Sequence, residues 1–398
     1  MIAWYPTEAP KLKISDRPEV TGNTCNGSVN NIDLDSTQRI EVIGRLDQDA
    51  VLGVNLRNSS GTCTGTITTG LEGKGTKENF KSDNNKYLVG LNEDGEAILD
   101  ARVITVKGVT GSFNDKIKLN FYLDIPKAVK DLDSVYVSMR NERTQETYVK
   151  FFDPLKYDEE KGGYKFSFPL AAKEASDTIT AKIVGGSDEG ILLIGEKTGT
   201  DYTETGVPYS LMEYFDWLEK EGSDADEKAI GKAAKDYCTA AQLYFDYNVT
   251  EGMSVSDAVR QLSSDTLSDY IAVRDGELPD GVSIGGIAAM LESDNTLRLY
   301  YGFNGVDPDD LTFEIDGDTV DLGSREDGMR YLALDEGTYA NHLQDVHEYS
   351  VSDNTKTYTI TASVLTYARS CARKSDEKTS NLGKALYLYN RAVFNVFH

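Results

Sequence analysis

The sequence predicts a mainly β protein of the α+β class, built of β-sandwich domains, the two C-terminal ones each carrying a packed αα-hairpin. Three observations predict it. Short segments alternate apolar and polar residues, with turn signals between them. Near residues 210 and 362 that two-residue period gives way to apolar spacing of i, i+3, i+4, i+7. The pattern of the middle of the chain then returns in its last third.

At 398 residues, with roughly 100–200 residues per domain, the chain is long enough for two to four domains. Pro6, Pro10 and Pro18 among short polar pieces make residues 5–22 an extended N-terminal segment. Strand alternation begins at Arg39-Ile-Glu-Val-Ile-Gly-Arg-Leu, and Val51-Leu-Gly-Val-Asn-Leu and Gly65-Thr-Ile-Thr-Thr continue it. The turn signal in Asn92-Glu-Asp-Gly-Glu closes a β-sandwich-like domain over residues 1–97. Next come Arg102-Val-Ile-Thr-Val, Ile117-Lys-Leu-Asn-Phe-Tyr-Leu, Ser134-Val-Tyr-Val-Ser, Tyr164-Lys-Phe-Ser-Phe and Ile179-Thr-Ala-Lys-Ile-Val. Regular short strands of this kind argue a sandwich.

Leu211, Tyr214, Phe215 and Leu218 then fall on one helical face, with Ser210 as its cap. A longer helix follows from Asp226 to Phe245, with Ile230, Ala233, Ala234, Tyr237, Ala241 and Tyr244 as its inward stripe. The two make an αα-hairpin that completes a first unit over residues 98–250. Residues 251–280 are a linker with short amphipathic helical pieces around Val255–Leu262 and Leu267–Val273. Residues 281–398 form the second unit. Thr296-Leu-Arg-Leu-Tyr-Tyr repeats the pattern of Lys116-Ile-Lys-Leu-Asn-Phe, and Ala362-Ser-Val-Leu-Thr-Tyr that of Tyr209-Ser-Leu-Met-Glu-Tyr. Gly383-Lys-Ala-Leu-Tyr-Leu-Tyr-Asn-Arg-Ala aligns without gaps on Gly231-Lys-Ala-Ala-Lys-Asp-Tyr-Cys-Thr-Ala. The offset falls from 180 at the strand to 152 at the long helix, so the second copy is shorter in between.

Six segments carry a family resemblance: Lys116-Ile-Lys-Leu-Asn-Phe-Tyr-Leu-Asp-Ile, Ala240-Ala-Gln-Leu-Tyr-Phe, Leu278-Pro-Asp-Gly-Val, Leu291-Glu-Ser-Asp-Asn-Thr-Leu-Arg, Leu365-Thr-Tyr-Ala-Arg and Lys384-Ala-Leu-Tyr-Leu-Tyr-Asn. Through them residues 98–398 resemble a duplicated module of large surface proteins of gut clostridial Firmicutes. In such proteins the module usually closes a long chain of exported adhesive or repeat domains. The resemblance carries no catalytic residues, and residues 1–97 lie outside it.

The balance of 41 Lys and Arg against 66 Asp and Glu gives a net charge of −25, which disfavours a nucleic-acid partner. No apolar run approaches the ~18 residues of a membrane span, so no membrane insertion is expected. Met1-Ile-Ala-Trp-Tyr-Pro has neither a basic nor an apolar signal region. Of a cytosolic protein and a mature exported one, the acidic, Gly/Asn/Thr-punctuated composition favours the second, secreted or at a bacterial cell surface.

Cys25 and Cys63 lie in polar, turn-rich sequence, where a disulfide between them is expected to staple the N-terminal domain. Cys238 and Cys371 fall in helical sequence as small buried residues. Without a C-x-x-C pair no zinc site is expected, and no D-x-[DN]-x-[DN]-G loop is present for calcium. No cofactor is implied.

Catalysis finds few candidates. His342 and His347 are five apart, off one helical face, and His398 ends the sequence. The acidic groups Asp131-Leu-Asp133, Asp307-Pro-Asp-Asp310 and Asp316-Gly-Asp318 read as turns rather than as a glycosidase pair. Tyrosine is in excess, at 23 residues against two Trp, and Tyr244, Tyr247, Tyr300, Tyr301, Tyr387 and Tyr389 fall in the repeated elements. Tyrosine suits sugar rings and protein hot spots as well as a half-buried seam, and the same holds for Trp217. Trp4 lies in the N-terminal segment. The sequence therefore points to a non-enzymatic adhesion protein binding a host glycoprotein (mucin or immunoglobulin) or a polysaccharide. Its ligand is expected at the N-terminal loop residues Asn55, Arg57, Asn58, Thr62 and Thr64. A structural stalk is the alternative, and a glycoside hydrolase a more distant one.

Overall fold

The computed structural model describes residues 12–84, 87–101, 104–112, 116–126, 129, 136–151, 157–184, 206–293, 295–334 and 337–397. Trp4, Asp131, Asp133 and His398 lie outside the described residues, as do Arg102, Val103 and Ser134 of the expected strands. Strands predominate over helices, in keeping with a mainly β, α+β chain.

The N-terminal region is laid down as β1 (Leu12–Asp16), β2 (Ile32–Asp35), β3 (Ile40–Leu46), β4 (Val51–Asn58), β5 (Phe80–Ser82), β6 (Tyr87–Leu91) and β7 (Ala97–Ala101). Its ladders are largely parallel. Leu12 and Thr68 both pair with Ile40, steps of 28 residues from 12 to 40 to 68. Phe80 pairs with Leu52 at the same step, and β2 lies along β4 with Ile32 opposite Val54. The hairpin of β6 and β7 is antiparallel. A sandwich-like domain over residues 1–97 implies mainly antiparallel neighbours, whereas most of the described ladders here are parallel. Alternation fixes which side chains of a strand are buried, and Ile40, Val42 and Leu46 of β3 are indeed buried. It does not fix which strand becomes the neighbour, and a parallel return needs an intervening crossover.

The first unit contains β8 (Thr105–Ser112), β9 (Lys118–Asp124), β10 (Tyr136–Asn141), β11 (Thr147–Phe151), β12 (Tyr157–Asp158), β13 (Gly163–Pro169), β14 (Ile179–Val184) and β15 (Val207–Tyr209). They form two antiparallel sheets, ordered β8-β9-β13-β12 and β11-β10-β14-β15. The second unit contains β16 (Val273–Gly276), β17 (Val282–Leu291), β18 (Asn295–Phe303), β19 (Thr312–Ile315), β20 (Asp318–Thr319), β21 (Gly323–Ser324), β22 (Arg330–Ala333), β23 (His347–Ser352) and β24 (Thr357–Ala362). Its sheets are ordered β17-β18-β22-β21 and β16-β24-β23-β19-β20. Adding nine to each strand number of the first unit reproduces the second, with β16 as an extra edge.

The helices repeat as well. α1 (Leu211–Glu221) and α2 (Ala225–Phe245) correspond to α4 (Val364–Ala372) and α5 (Glu377–Phe397), and the short α3 (Asp257–Gln261) lies between the pairs. Ser210 caps α1: its Oγ accepts the Glu213 N–H at 3.2 Å, and the Glu213 carboxylate accepts the Ser210 N–H at 2.8 Å. Ser363 and Thr366 make the same reciprocal box at α4. Asp224 and Asp376 cap the two long helices.

The inward stripe of α2 holds through Ala241, but Tyr244 is exposed beside an exposed Phe245. At 21 residues α2 outruns the 11 of α1, so its last turn passes beyond that partner. In the linker, Leu267 ends a short 3-10 turn and Val273 opens β16, so the second expected helical piece is not formed. Ser256 ties the linker to α2, donating from N–H and Oγ to the Asp236 carboxylate at 2.7 and 2.6 Å.

Two apolar cores result. One gathers Ile14, Ile40, Leu52, Phe80 and Leu99 of the N-terminal region. The other runs from Ile104 to Val393 without a break between the units. The Ile117 N–H, just before β9 of one unit, donates to Ser293 O of the other at 2.7 Å.

Candidate functional site

The five N-terminal loop residues cluster only in part, and most of their bonds are to neighbouring residues outside the five. Arg57 Nε donates to Asp33 Oδ1 at 2.6 Å, and Asn55 Nδ2 reaches the same oxygen at 3.4 Å. The Thr62 hydroxyl donates to Asn55 Oδ1 at 3.2 Å, and Asn58 Oδ1 accepts the Ser60 N–H of its own turn at 2.8 Å. Thr64 is exposed. The arrangement ties the C-terminal end of β4 to Asp33, while Arg57 and Asn58, like Thr64, stay exposed.

Cys25 and Cys63 are free thiols, so the expected disulfide is not made. Cys25 belongs to a two-residue ladder, Thr24–Cys25 against Ser28–Val29. Cys63 is packed against the N-terminal core, its N–H donating to Leu56 O at 2.9 Å. Polar sequence context placed both on the same domain and carried no information about their separation.

The acidic clusters that are described make turns. Asp316 and Gly317 both adopt positive φ between paired Ile315 and Asp318, as a type I′ hairpin requires. Asp307 caps the 3-10 turn Pro308–Asp310. His347 Nδ1 lies 2.6 Å from Asp316 Oδ2 and His342 Nδ1 2.7 Å from Asp345 Oδ2. Among the described residues no group of three or more His, Cys, Asp or Glu is placed to hold a metal ion.

A groove of about 790 Å³ lies in the first unit. It is bounded by β11, the edge of one sheet, and by β12 and β13, the edge of the other. β12 pairs with Gly163 and Tyr164, and among the described residues no strand pairs with Lys165–Pro169 on that side of β13. Tyr148, Lys150 and Phe151 enter from β11, Tyr157 from β12, and Tyr164, Lys165 and Phe166 from β13. Lys116 and Lys118 close one end, Lys118 directly opposite Pro169.

Edge-on packing holds the aromatic rings: Tyr148 lies 4.8 Å from Phe168, Tyr157 5.0 Å from Tyr164, and Phe151 5.9 Å from Tyr136. Phe151 is 69% exposed at the mouth. Burial, reinforced by Glu146, pushes the Tyr148 hydroxyl above its ordinary value, so it remains a neutral hydrogen-bonding group. Lys150 sits opposite Val137, whose side chain is in the core, so its stem lies on the inner face of its sheet. The groove volume falls within the roughly 300–1,000 Å³ of small-ligand sites.

The sequence reading did not find this site. The tyrosines it singled out include Tyr301 and Tyr389, which are core residues. The lining residues span positions 116 to 169, and their local sign is the alternation of lysine with apolar residues along strands. Among the described residues no helix is long and apolar enough to cross a membrane. Compared with known proteins, the chain matches no protein-family model and no curated protein.

Proposed function

We propose that this chain is a non-enzymatic binding protein of a bacterial cell surface, recognising a host glycoprotein or a polysaccharide through the groove of its first unit. The carrying observation is the groove itself, with exposed Phe151 and Tyr157 at its rim and tyrosines and lysines along its walls. Aromatic bodies with polar tips suit sugar rings and hot-spot contacts alike. A hydrolase would need two carboxylates about 5–10 Å apart across the scissile bond, whereas Asp158 and Glu159 are neighbours in one turn. On this reading each unit is one copy of a β-sandwich with a helical hairpin, supported by the identical strand order of residues 98–250 and 281–398. The surface assignment rests on the resemblance to clostridial surface modules and on the acidic composition.

The core shared by the two units favours a second reading, a rigid spacer. Immobilised protein challenged with intestinal mucus glycoproteins, pooled immunoglobulin and a glycan panel separates the two. A retained ligand class that is lost in the folded Phe151→Ala/Tyr157→Ala variant is the expected result. Nothing retained on a monodisperse sample would leave only the spacer.

A further inference from the structure

We infer that the ligand of the first-unit groove is a polyanionic glycan, a chain bearing carboxylate or sulfate groups; this rests on reading the groove as a glycan site. The chain as a whole carries a net charge of −25 and repels polyanions at long range. Among the described residues the groove is lined by four lysines, Lys116, Lys118, Lys150 and Lys165, and by two carboxylates, Asp158 and Glu159, so its lining carries more cations than acids. The Asp158 carboxylate is turned into its own loop, accepting the Lys161 N–H at 2.9 Å. Some lysines outside the groove are paired with acids, as in Lys107–Asp124, Lys235–Asp216 and Lys356–Asp280. Lys150 and Lys165 make no ion pair among the described residues.

The chemistry fits a glycan better than the other linear polyanion, an acidic peptide. Lysine ammonium groups on flexible stems are point charges that accept sulfate or carboxylate from many directions. Phe151 and Tyr157 beside them offer flat faces to the C–H surface of a pyranose ring.

The test is calorimetric titration of the full chain with polygalacturonate, chondroitin sulfate, a neutral galactan and poly-glutamate, at about 50 and about 300 mM NaCl, a range over which screening shortens markedly. Expected are binding of polygalacturonate or chondroitin sulfate, neutral galactan weaker by about tenfold or more, and a loss of about tenfold in affinity at the higher salt. Lys150→Ala/Lys165→Ala should weaken the anionic polymer by about tenfold, and Lys150→Arg/Lys165→Arg should retain it, since arginine keeps the charge. Circular dichroism confirms that both variants are folded. Neutral and anionic chains bound equally at both salts would overturn the charge inference and leave the glycan reading standing. Poly-glutamate bound without any glycan, or no polymer bound at all, would overturn both.

Discussion

Tyr237 and Tyr389 stack face to face, 5.2 Å between ring centroids and 15° between planes, and they are the same residue in the two copies of the repeat. Both positions lie in the gap-free 152-residue register that relates Gly231 to Gly383. The contact therefore brings a position of the repeat against its own copy, and α2 packs on α5 where the two units share a core. Both rings are fully buried, and burial pushes both hydroxyls upward, so neither ionises at any ordinary pH. The Tyr237 hydroxyl donates to Asn295 Oδ1 at 3.1 Å, which ties α2 of the first unit to the start of β18 in the second.

Truncating either ring should be costly. Tyr237→Ala and Tyr389→Ala are each expected to lower stability by about 3–5 kcal/mol, as for other large buried aromatics. The double-mutant cycle should show a coupling of about 0.5–1.5 kcal/mol. Chemical denaturation of the four proteins measures this, and strict additivity would show that the stack itself contributes nothing.

The glycines of the repeat have a steric explanation. A Cβ at Gly231 would lie 2.8 Å from Glu219 N on α1, and one at Gly383 would meet Ala368 O and lie 2.6 Å from Ala372 N on α4. Each long helix thus approaches the backbone of its short partner where only glycine fits. Gly231→Ala and Gly383→Ala should destabilise by about 1–3 kcal/mol through overpacking, although alanine is the better helix former by about 1 kcal/mol. A rise in melting temperature for either variant would contradict the close approach.

A third glycine underlies the N-terminal ladders. Asn31 Nδ2 donates to Asp83 Oδ1 at 2.6 Å, and the Asn31 N–H to Asp83 Oδ2 at 2.6 Å, across Gly53 on the strand between them. A Cβ at Gly53 would meet both side chains. Gly53→Ala should cost about 1–3 kcal/mol by leaving polar groups unpaired, and Asn31→Ala should cost less in that background than in the wild type.

The cysteines divide into two classes. Burial pushes the Cys238 and Cys371 thiols upward, and thiolate is the reactive form. Cys25 and Cys63 are free and partly exposed. Two equivalents of a thiol reagent should therefore react rapidly with the native protein at pH 8, and the remaining two only after unfolding. Two rapid equivalents that disappear on mild oxidation would restore the bridge that the sequence suggested.

Asp316 gives the second unit a small acid-side dependence. Burial pushes its carboxyl up, but the His347 Nδ1–H and the Glu348 N–H, at 2.6 and 2.8 Å, outweigh that and hold it below the usual carboxylate value. A carboxyl depressed in the folded state stabilises fully above its unfolded value of about 3.9 and loses that contribution as pH falls through the folded one. The pair is about half exposed on the Asp316 side, so screening limits its worth to less than about 1 kcal/mol. Asp316→Asn keeps the left-handed turn at φ 52°. Its stability deficit should be largest near neutral pH and vanish in strong acid, measured by denaturation across pH 2–7.

The repeat was legible because it is written in local signals. Ser210 as a cap, the change to helical spacing and the matched glycines all act within a turn or two of their own position, where a side chain meets its own backbone. The parallel ladders of β1, β3 and β4 were not legible, because pairing Leu12 with Ile40 depends on what residues 17–39 do in between. The groove was hidden for the same reason, since Lys118 meets Pro169 only once strands far apart in sequence are side by side. Sequence alone thus determined the mainly β, α+β class and the Ser210 cap of α1, products of short-range periodicity and capping. The tertiary structure decided the parallel N-terminal ladders, the free state of Cys25 and Cys63, the self-stacking of Tyr237 on Tyr389 and the lysine-lined groove, because each is a relation between distant segments that no local pattern encodes.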